Sequence, residues 1–181
     1  MKKNELPHVQ ARMELLQGLP LTHAGYAADM LTLTFGQAAR ECQLHIQCSY
    51  RLATEDAILF DRIDYFEPSD AQCAKWRAEG LDPLDFPDDW PDDERRLFEQ
   101  VTQLNQSLDG MTVNEVRVDR LGDLTIRFAN GMTLLALPMS SDDRECWRFW
   151  CDARWPDQHM VVCGDHAELS GPGAQYGPIC E

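Results

Sequence analysis

The sequence has no long apolar run, no export signal and few basic residues for its acid content. No apolar stretch approaches the roughly 18 residues that a membrane-spanning helix needs. Lys2 and Lys3 precede no apolar segment, so the chain start does not have the pattern of a secretory signal. We therefore predict a soluble protein that is located in the cytoplasm and has no membrane partner.

Familiar catalytic motifs are also missing. The chain contains no GxSxG, Walker A, GxGxxG or HExxH pattern, and no acidic segment has the ligand and glycine register of a calcium loop. The paired acids at 88–89 and 92–94 lie in a proline-rich stretch that looks solvated, whereas catalytic carboxyls need burial that separates their pKa values. The sequence names no catalytic residue and no cofactor, and this favours binding over catalysis.

The seven cysteines do not form a metal knuckle, because no CxxC pair occurs. An odd number without an export signal favours reduced thiols that pack as small hydrophobic side chains. The pattern nearest to a zinc site is Cys42-x2-His45-x2-Cys48, with Cys163 and His166 downstream. Residues three apart on a strand face opposite ways, so these side chains are not expected to surround one ion. We predict no metal.

Net charge is the most unbalanced property. Sixteen basic residues face 31 acidic ones, which gives −15 and a pI near 4.6. Such a field repels nucleic acid and attracts basic proteins. We therefore expect no nucleic-acid partner and favour a basic protein partner, while solubility alone is the other explanation of the acidity.

Short runs with alternating apolar residues dominate the chain and predict strands. The runs cover 19–26, 30–35, 43–52, 57–60, 112–118, 124–128, 132–137, 145–151 and 159–163. From residue 164 onward the chain is rich in Gly, Pro and small residues, and an irregular tail is predicted there.

Helical patterns are fewer. The clearest has an apolar stripe, acids at its start from Asp92 and Gly110 after its end; the stripe is Leu97, Val101, Leu104 and Leu108. Shorter helices are predicted at 9–17 and at 70–79, the second with Ser69 as its N-cap. The pattern predicts an α+β protein.

Several landmarks recur in the same order in the two halves. Gly18 and Gly110 each precede two strands, and the aromatic-Arg-apolar triplet at 50–52 has a counterpart at 147–149. We interpret this as an internal duplication that gives two similar antiparallel β lobes joined by a helical connector. The predicted parts are 1–66, 67–109 and 110–181, or one compact domain overall. Whether the lobes form one sheet or two stays open.

Arg51 and Arg148 occupy the middle of those triplets. In a strand each should face away from its aromatic neighbour. The preferred interpretation is a matched structural ion pair in each lobe, with a carboxylate such as Asp29 or Asp123. A pair of ligand-binding arginines is the alternative.

The segment 82–94 contains seven acids, three prolines and two aromatic residues. Aromatic anchors within negative charge suit a surface that faces a basic protein. The predicted partner-binding residues are Asp82, Asp85, Phe86, Asp88, Asp89 and Trp90. The alternative is that the two aromatic side chains hold the loop on its own core.

The string 122–134, followed by 147–149 and 159–162, resembles a group of uncharacterised bacterial proteins, as does 29–51. Small acidic proteins of this style are similar to immunity proteins encoded beside bacterial toxins. The resemblance implies a stoichiometric binding protein with a toxin-like basic partner and supplies no catalytic residues. The alternative function is an enzyme or small-ligand-binding protein with a cleft between the lobes.

Overall fold

The computed structural model describes residues 5–37, 40–82, 85, 87 and 91–171. These residues form a mixed helix and sheet protein with two antiparallel sheets, as the strand alternation predicted. Among the described residues there are three α-helices: α1 is Leu6–Met13, α2 is Asp70–Ala78 and α3 is Arg96–Asn105. No helix in this part of the chain is long and apolar enough to cross a membrane.

The larger sheet has six strands in the order β1-β2-β3-β9-β10-β11. Its strands are β1 Leu21–Ala27, β2 Met30–Phe35, β3 Cys42–Ile46, β9 Glu145–Trp150, β10 His159–Cys163 and β11 Ala167–Ser170. The smaller sheet has five strands in the order β5-β4-β8-β7-β6. Its strands are β4 Ser49–Ala53, β5 Ile58–Asp61, β6 Val113–Val118, β7 Leu124–Phe128 and β8 Thr133–Leu137.

Each sheet takes strands from both halves of the chain. Strands β1 to β3 pair with β9 to β11, while β4 and β5 pair with β6 to β8. The expectation of one antiparallel sheet in each half is therefore corrected. Alternation along a strand fixes which side chains are buried, but it carries no information on which strand lies alongside.

The two sheets share one hydrophobic core. Apolar side chains of both sheets and of α1 and α3 belong to a single buried cluster, with Trp147, Phe35 and Phe149 among its largest members. Helix α3 contributes Leu97, Val101 and Leu104, which are the first three positions of the predicted stripe. The core thus holds the two halves of the chain together rather than forming separately in each.

The helix boundaries follow local signals. The side chain of Ser69 accepts from Gln72 N at 3.1 Å, so the predicted cap of α2 is confirmed. Helix α3 begins at Arg96 rather than at Asp92, because Arg95 has an extended backbone and the acids before it form a short 3-10 turn. Another 3-10 helix, Arg62–Phe66, follows β5 and begins at a capping box made by Asp61 and Asp64.

The helix predicted at 9–17 begins earlier, at Leu6, and passes into a 3-10 turn at Glu14–Leu16. Two strand and tail predictions differ in kind. The alternating run at 43–52 is not one strand, because it breaks at Gln47 and Cys48 and continues as β4 in the other sheet. The tail predicted as irregular contains β11, which pairs with β10 from His159↔Ser170 to Val162↔Ala167. Its alternation is only four residues long, too short to stand out beside the glycines around it.

Candidate functional site

The predicted partner-binding segment is only partly described. Asp82 and Asp85 are exposed, and Asp85 N donates to the Asp82 carbonyl at 2.9 Å. Phe86, Asp88, Asp89 and Trp90 lie outside the described residues. The segment as a binding surface stays a prediction.

Arg51 and Arg148 lie in different sheets and in different surroundings. Arg51 is exposed on β4, opposite Leu135, and no described carboxylate forms an ion pair with it. Arg148 is partly buried on β9, and its Nε donates to Glu145 at 2.9 Å. Asp29 pairs with Arg62 instead. The structure does not bring the two arginines together.

Aromatic side chains that the sequence did not single out meet at the N-terminal end of α3. Tyr26 of β1 contacts Tyr65 edge to face at 5.7 Å between ring centroids and Phe98 of α3 at 6.3 Å. Tyr65 contacts Phe66 at 5.1 Å. Phe66 is 50% and Phe98 43% exposed. Large exposed rings in contact with one another mark an interaction surface more often than isolated ones do.

Carboxylates border this cluster. Tyr26 donates its hydroxyl to the Asp92 carbonyl, and Asp92 and Asp93 are exposed beside it. Burial, and then the Asp92 charge, raise the pKa of Tyr26 to about 12, so the phenol stays a neutral donor. We call Tyr26, Tyr65, Phe66, Phe98, Asp92 and Asp93 the acid–aromatic patch.

An arginine of the chain already lies on this patch. The guanidinium of Arg95 is 4.3 Å from the Tyr65 ring centroid and its Nε donates to Asp92 at 2.8 Å. One ring face and one carboxylate thus hold the same cation, which is the arrangement that guanidinium groups prefer. Arg62 likewise lies over the Phe66 ring, at 5.9 Å from its centroid. The exposed Phe98 and Asp93 offer the same two kinds of group to a cation from outside.

A groove of about 330 Å³ runs from the patch along the contact of β1 with α3. Tyr26, Asp92 and Phe98 line its end at the patch, and Val101 and Thr102 line it further along the helix. The groove is therefore of mixed character along α3, where Val101 lies beside Thr102 and Asn105, and Asp92 is the acid that lines its end at the patch.

A second cavity, of about 380 Å³, lies between the two halves of the chain. The first half contributes Asp29, Cys48 and Arg62, and the second contributes Ser140 and Arg144, among others. Asp29 stands in a tight turn in which both it and Ala28 have positive φ, of 63° and 50°. We call this cavity the inter-half cleft.

Charged side chains in and beside the cleft are held by neighbours. Arg62 binds Asp29 and donates from Nη1 to the Gln47 carbonyl at 2.5 Å. Arg144 donates from Nε to Asp142 at 2.9 Å, and the hydrogen bonds from Arg144 and Ser140 hold the pKa of the Asp142 carboxyl well below its usual range. The cleft is polar, and these pairs orient its charged side chains.

The zinc pattern is not assembled in the described part of the chain. The described residues contain no cluster of three or more His, Cys, Asp or Glu side chains that could hold a metal ion. Cys42 and Cys48 are buried, whereas His45 lies on the other face of β3 against Trp150, at 4.6 Å between ring centroids. This arrangement follows the two-residue repeat of a strand.

The fold and these surfaces define the chain as an α+β protein with two antiparallel sheets, an acid–aromatic patch and a cleft between its halves. The chain matches no protein-family model, no curated protein and no solved structure. The resemblance to uncharacterised bacterial proteins therefore stays a prediction.

The partner-binding residues predicted from the sequence, at 82–90, lie just before Asp92 and Asp93 of the patch. The aromatic residues of the patch were not predicted. Phe98 is adjacent to the helical stripe and reads as an ordinary helix residue, while Tyr65 and Phe66 follow a strand with no acidic run of their own. The only signal that pointed to this region was the run of acids ending at Glu94.

Proposed function

We propose that this protein is a non-catalytic binding protein that engages a basic partner protein through the acid–aromatic patch. The observation that carries the proposal is the exposure of Phe66 and Phe98 beside Asp92 and Asp93. Aromatic side chains, Phe among them, are enriched at protein interfaces, and surrounding charge selects and steers the partner.

The partner's chemistry follows from what the patch already holds. Arg95 stacks on Tyr65 and pairs with Asp92, so an arginine or lysine side chain of a partner fits beside Phe98 and Asp93 in the same manner. The net charge of −15 attracts such a partner over a longer range. A toxin-like basic protein is the class that the resemblance to immunity proteins implies.

The test is affinity purification from the cells that produce the protein, followed by a binding measurement with the purified partner. We expect one basic protein at 1:1 stoichiometry, with affinity that falls as salt rises. The double variant Phe98→Ser, Asp93→Asn should weaken binding about tenfold or more.

The matched control carries one apolar and one charge change away from the patch, Leu121→Ser with Asp152→Asn. Both positions are exposed, Leu121 at 68%. The control should bind like the wild type, and circular dichroism should show both variants folded. An acidic partner, or equal loss of binding in both variants, would contradict the proposal.

We also propose that the two halves are repeats of one unit, with a connector that carries α2. The first half contains β1 to β5 and the second β6 to β10. When each strand is replaced by its counterpart in the other half, the order β1-β2-β3-β9-β10 of the larger sheet becomes β6-β7-β8-β4-β5, which is the order of the smaller sheet. Helix α1 packs on β6, and α3 packs on β1, which is the same exchange. Repeats that swap strands explain why neither sheet belongs to one half.

Local features support the repeat at residue level. The pairing of β1 with β2 shifts register between Leu21 and His23, and the pairing of β6 with β7 shifts between Val113 and Glu115. In the same way, Arg51 stands opposite Leu135 on the third strand of one unit, and Arg148 stands opposite His45 on the third strand of the other. The triplets around both arginines therefore occupy equivalent places.

A second candidate function is the binding of a small ligand in the inter-half cleft, with or without catalysis. The observation that favours it is a pair of buried polar atoms of the cleft residues, Asp29 Oδ1 and Arg62 Nε, that make no hydrogen bond within the described part of the chain. Native mass spectrometry of the purified protein tests it. A bound small molecule that is lost in Arg62→Gln but kept in Arg51→Gln would support this function, and its absence would count against it.

A further inference from the structure

Strands β3 and β9 are the central pair of the six-stranded sheet and connect the two halves of the chain. Their antiparallel register runs from Gln43↔Trp150 to Ile46↔Trp147. One step beyond the first pair, Cys42 faces Cys151. At the other end, the backbone N–H groups of Gln47 and Cys48 both donate to the Cys146 carbonyl, at 2.8 and 3.0 Å.

A cysteine pair therefore stands at each end of this ladder. Cys42 and Cys151 are directly opposite by this register, and the Cα atoms of such residues are about 4.5–5.5 Å apart, inside the range that a disulfide accepts. At the other end Gln47 and Cys48 together oppose Cys146, as in a β-bulge, which keeps Cys48 beside Cys146. Burial and then the neighbouring Cys151 raise the pKa of the Cys42 thiol, and Cys146 and then burial raise that of the Cys48 thiol, so the two thiols of each pair are neighbours. The Cys146 thiol also donates to the Arg144 carbonyl at 3.6 Å. All four cysteines are buried.

We propose that Cys48–Cys146 and Cys42–Cys151 are oxidation sites at which a peroxide forms two cross-strand disulfides, and that these bonds lock the two halves of the chain together. In each pair one thiolate attacks a peroxide oxygen, which gives a sulfenic acid and hydroxide. The second sulfur then attacks the sulfenic sulfur, the S–S bond forms, and water leaves. Two thiols and one hydrogen peroxide thus become one disulfide and two waters.

The two pairs differ in access to the oxidant. Cys48 lines the inter-half cleft, through which a molecule as small as peroxide reaches it. The Cys48 thiol lowers the pKa of the Cys146 thiol, against burial and the Asp142 charge, so Cys146 is the sulfur of this pair that ionises and Cys48 its thiol partner. Burial raises the pKa of Cys42, which is fully buried. The Cys48–Cys146 bond should form first.

The test uses the full-length protein, reduced, freed of reductant and treated with hydrogen peroxide under native conditions. Intact mass should fall by the hydrogen atoms lost on forming first one bridge and then two. Peptide mapping without reduction should find Cys48 joined to Cys146 and Cys42 joined to Cys151. Because each bridge closes a loop of about a hundred residues, Tm should rise by on the order of 10 °C.

Single variants separate the two bridges. Cys48→Ser should lose only the Cys48–Cys146 bridge and Cys42→Ser only the other, while Cys73→Ser, on α2 outside both pairs, should keep both. The peptide map of the wild type decides the matter even where a variant folds poorly. Bridges to Cys73 or Cys163, oxygen addition without a bridge, or thiols that stay reduced would each overturn the proposal.

Discussion

Two histidines are placed so that acid acts on them in opposite ways. Burial, and then the Arg148 guanidinium, lower the pKa of His45 below 6.5. A hydrogen bond with Asp165, 2.5 Å from Nδ1, raises the pKa of His166 above 6.5. The folded state therefore takes up a proton at His166 earlier, and at His45 later, than the unfolded chain does as the pH falls.

The sign of each contribution follows by linkage. Because the pKa of His45 is lowered on folding, His45 destabilises the fold as pH drops below about 6.5. His166 contributes stability below that pH and loses it as the pH rises through its raised pKa. When the pH is lowered from about 7.5 to about 5.5, the free energy of unfolding of His45→Gln should therefore rise relative to that of the wild type.

His166→Gln is the matched control and should lose stability over the same interval. Urea unfolding measures the free energy of unfolding of each of the three proteins at each of the two pH values. A shift of the same sign in both variants would contradict the argument.

At the scale of elements, side-chain amides cover the outer edges of β1 and β6. Asn105 of α3 accepts from Ala24 N at 2.9 Å and donates to Ala24 O at 2.7 Å. Gln10 of α1 accepts from Val118 N at 2.8 Å and donates to Val116 O at 3.0 Å. An open edge strand is a template for pairing with another chain, so these contacts also protect against aggregation.

Asn105→Ala should destabilise the protein by about 1–3 kcal/mol, because the edge of β1 loses both hydrogen bonds. The variant should also aggregate faster near its Tm, which light scattering measures during a thermal scan. Gln103→Ala, exposed on the same helix, is the control and should change stability by less than about 0.5 kcal/mol. Equal effects of the two substitutions would show that the helix itself, not the edge contact, matters.

Element types were more predictable from the sequence than their partners. Strands β7 and β10 have the predicted bounds because their alternation is bracketed by turn residues. The break after β3 was missed because Ile46, Cys48 and Tyr50 keep the alternation across it, although Cys48 N pairs with Cys146 from a distant part of the chain. The patch was missed for the same reason, since Tyr26, Tyr65 and Phe98 meet only through the fold.

At the scale of the whole molecule, the charge is unevenly distributed. Arg51, Arg117 and Arg127 are all exposed on the smaller sheet, and Glu115 pairs with Arg127 at 3.6 Å. By contrast, the run 82–94, which ends beside the acid–aromatic patch, contains seven acids and no basic residue. Such an asymmetric field orients a basic partner as it approaches.

Pairing of strands across the two halves makes each half depend on the other for its core. Strands β3 and β9 join the halves in one sheet, and β4 and β8 join them in the other. A chain divided between residues 82 and 91 should therefore give two fragments that are each unfolded alone, since each lacks the partner strands that cover its apolar faces. Mixed at equal concentration, they should form a folded 1:1 complex with the circular dichroism of the intact chain. Size-exclusion chromatography with light scattering measures the stoichiometry.

A fragment that folds alone as a monomer would contradict the interdependence of the halves. A fragment that folds only as a homodimer would instead support the repeat, because a second copy would then supply the exchanged strands.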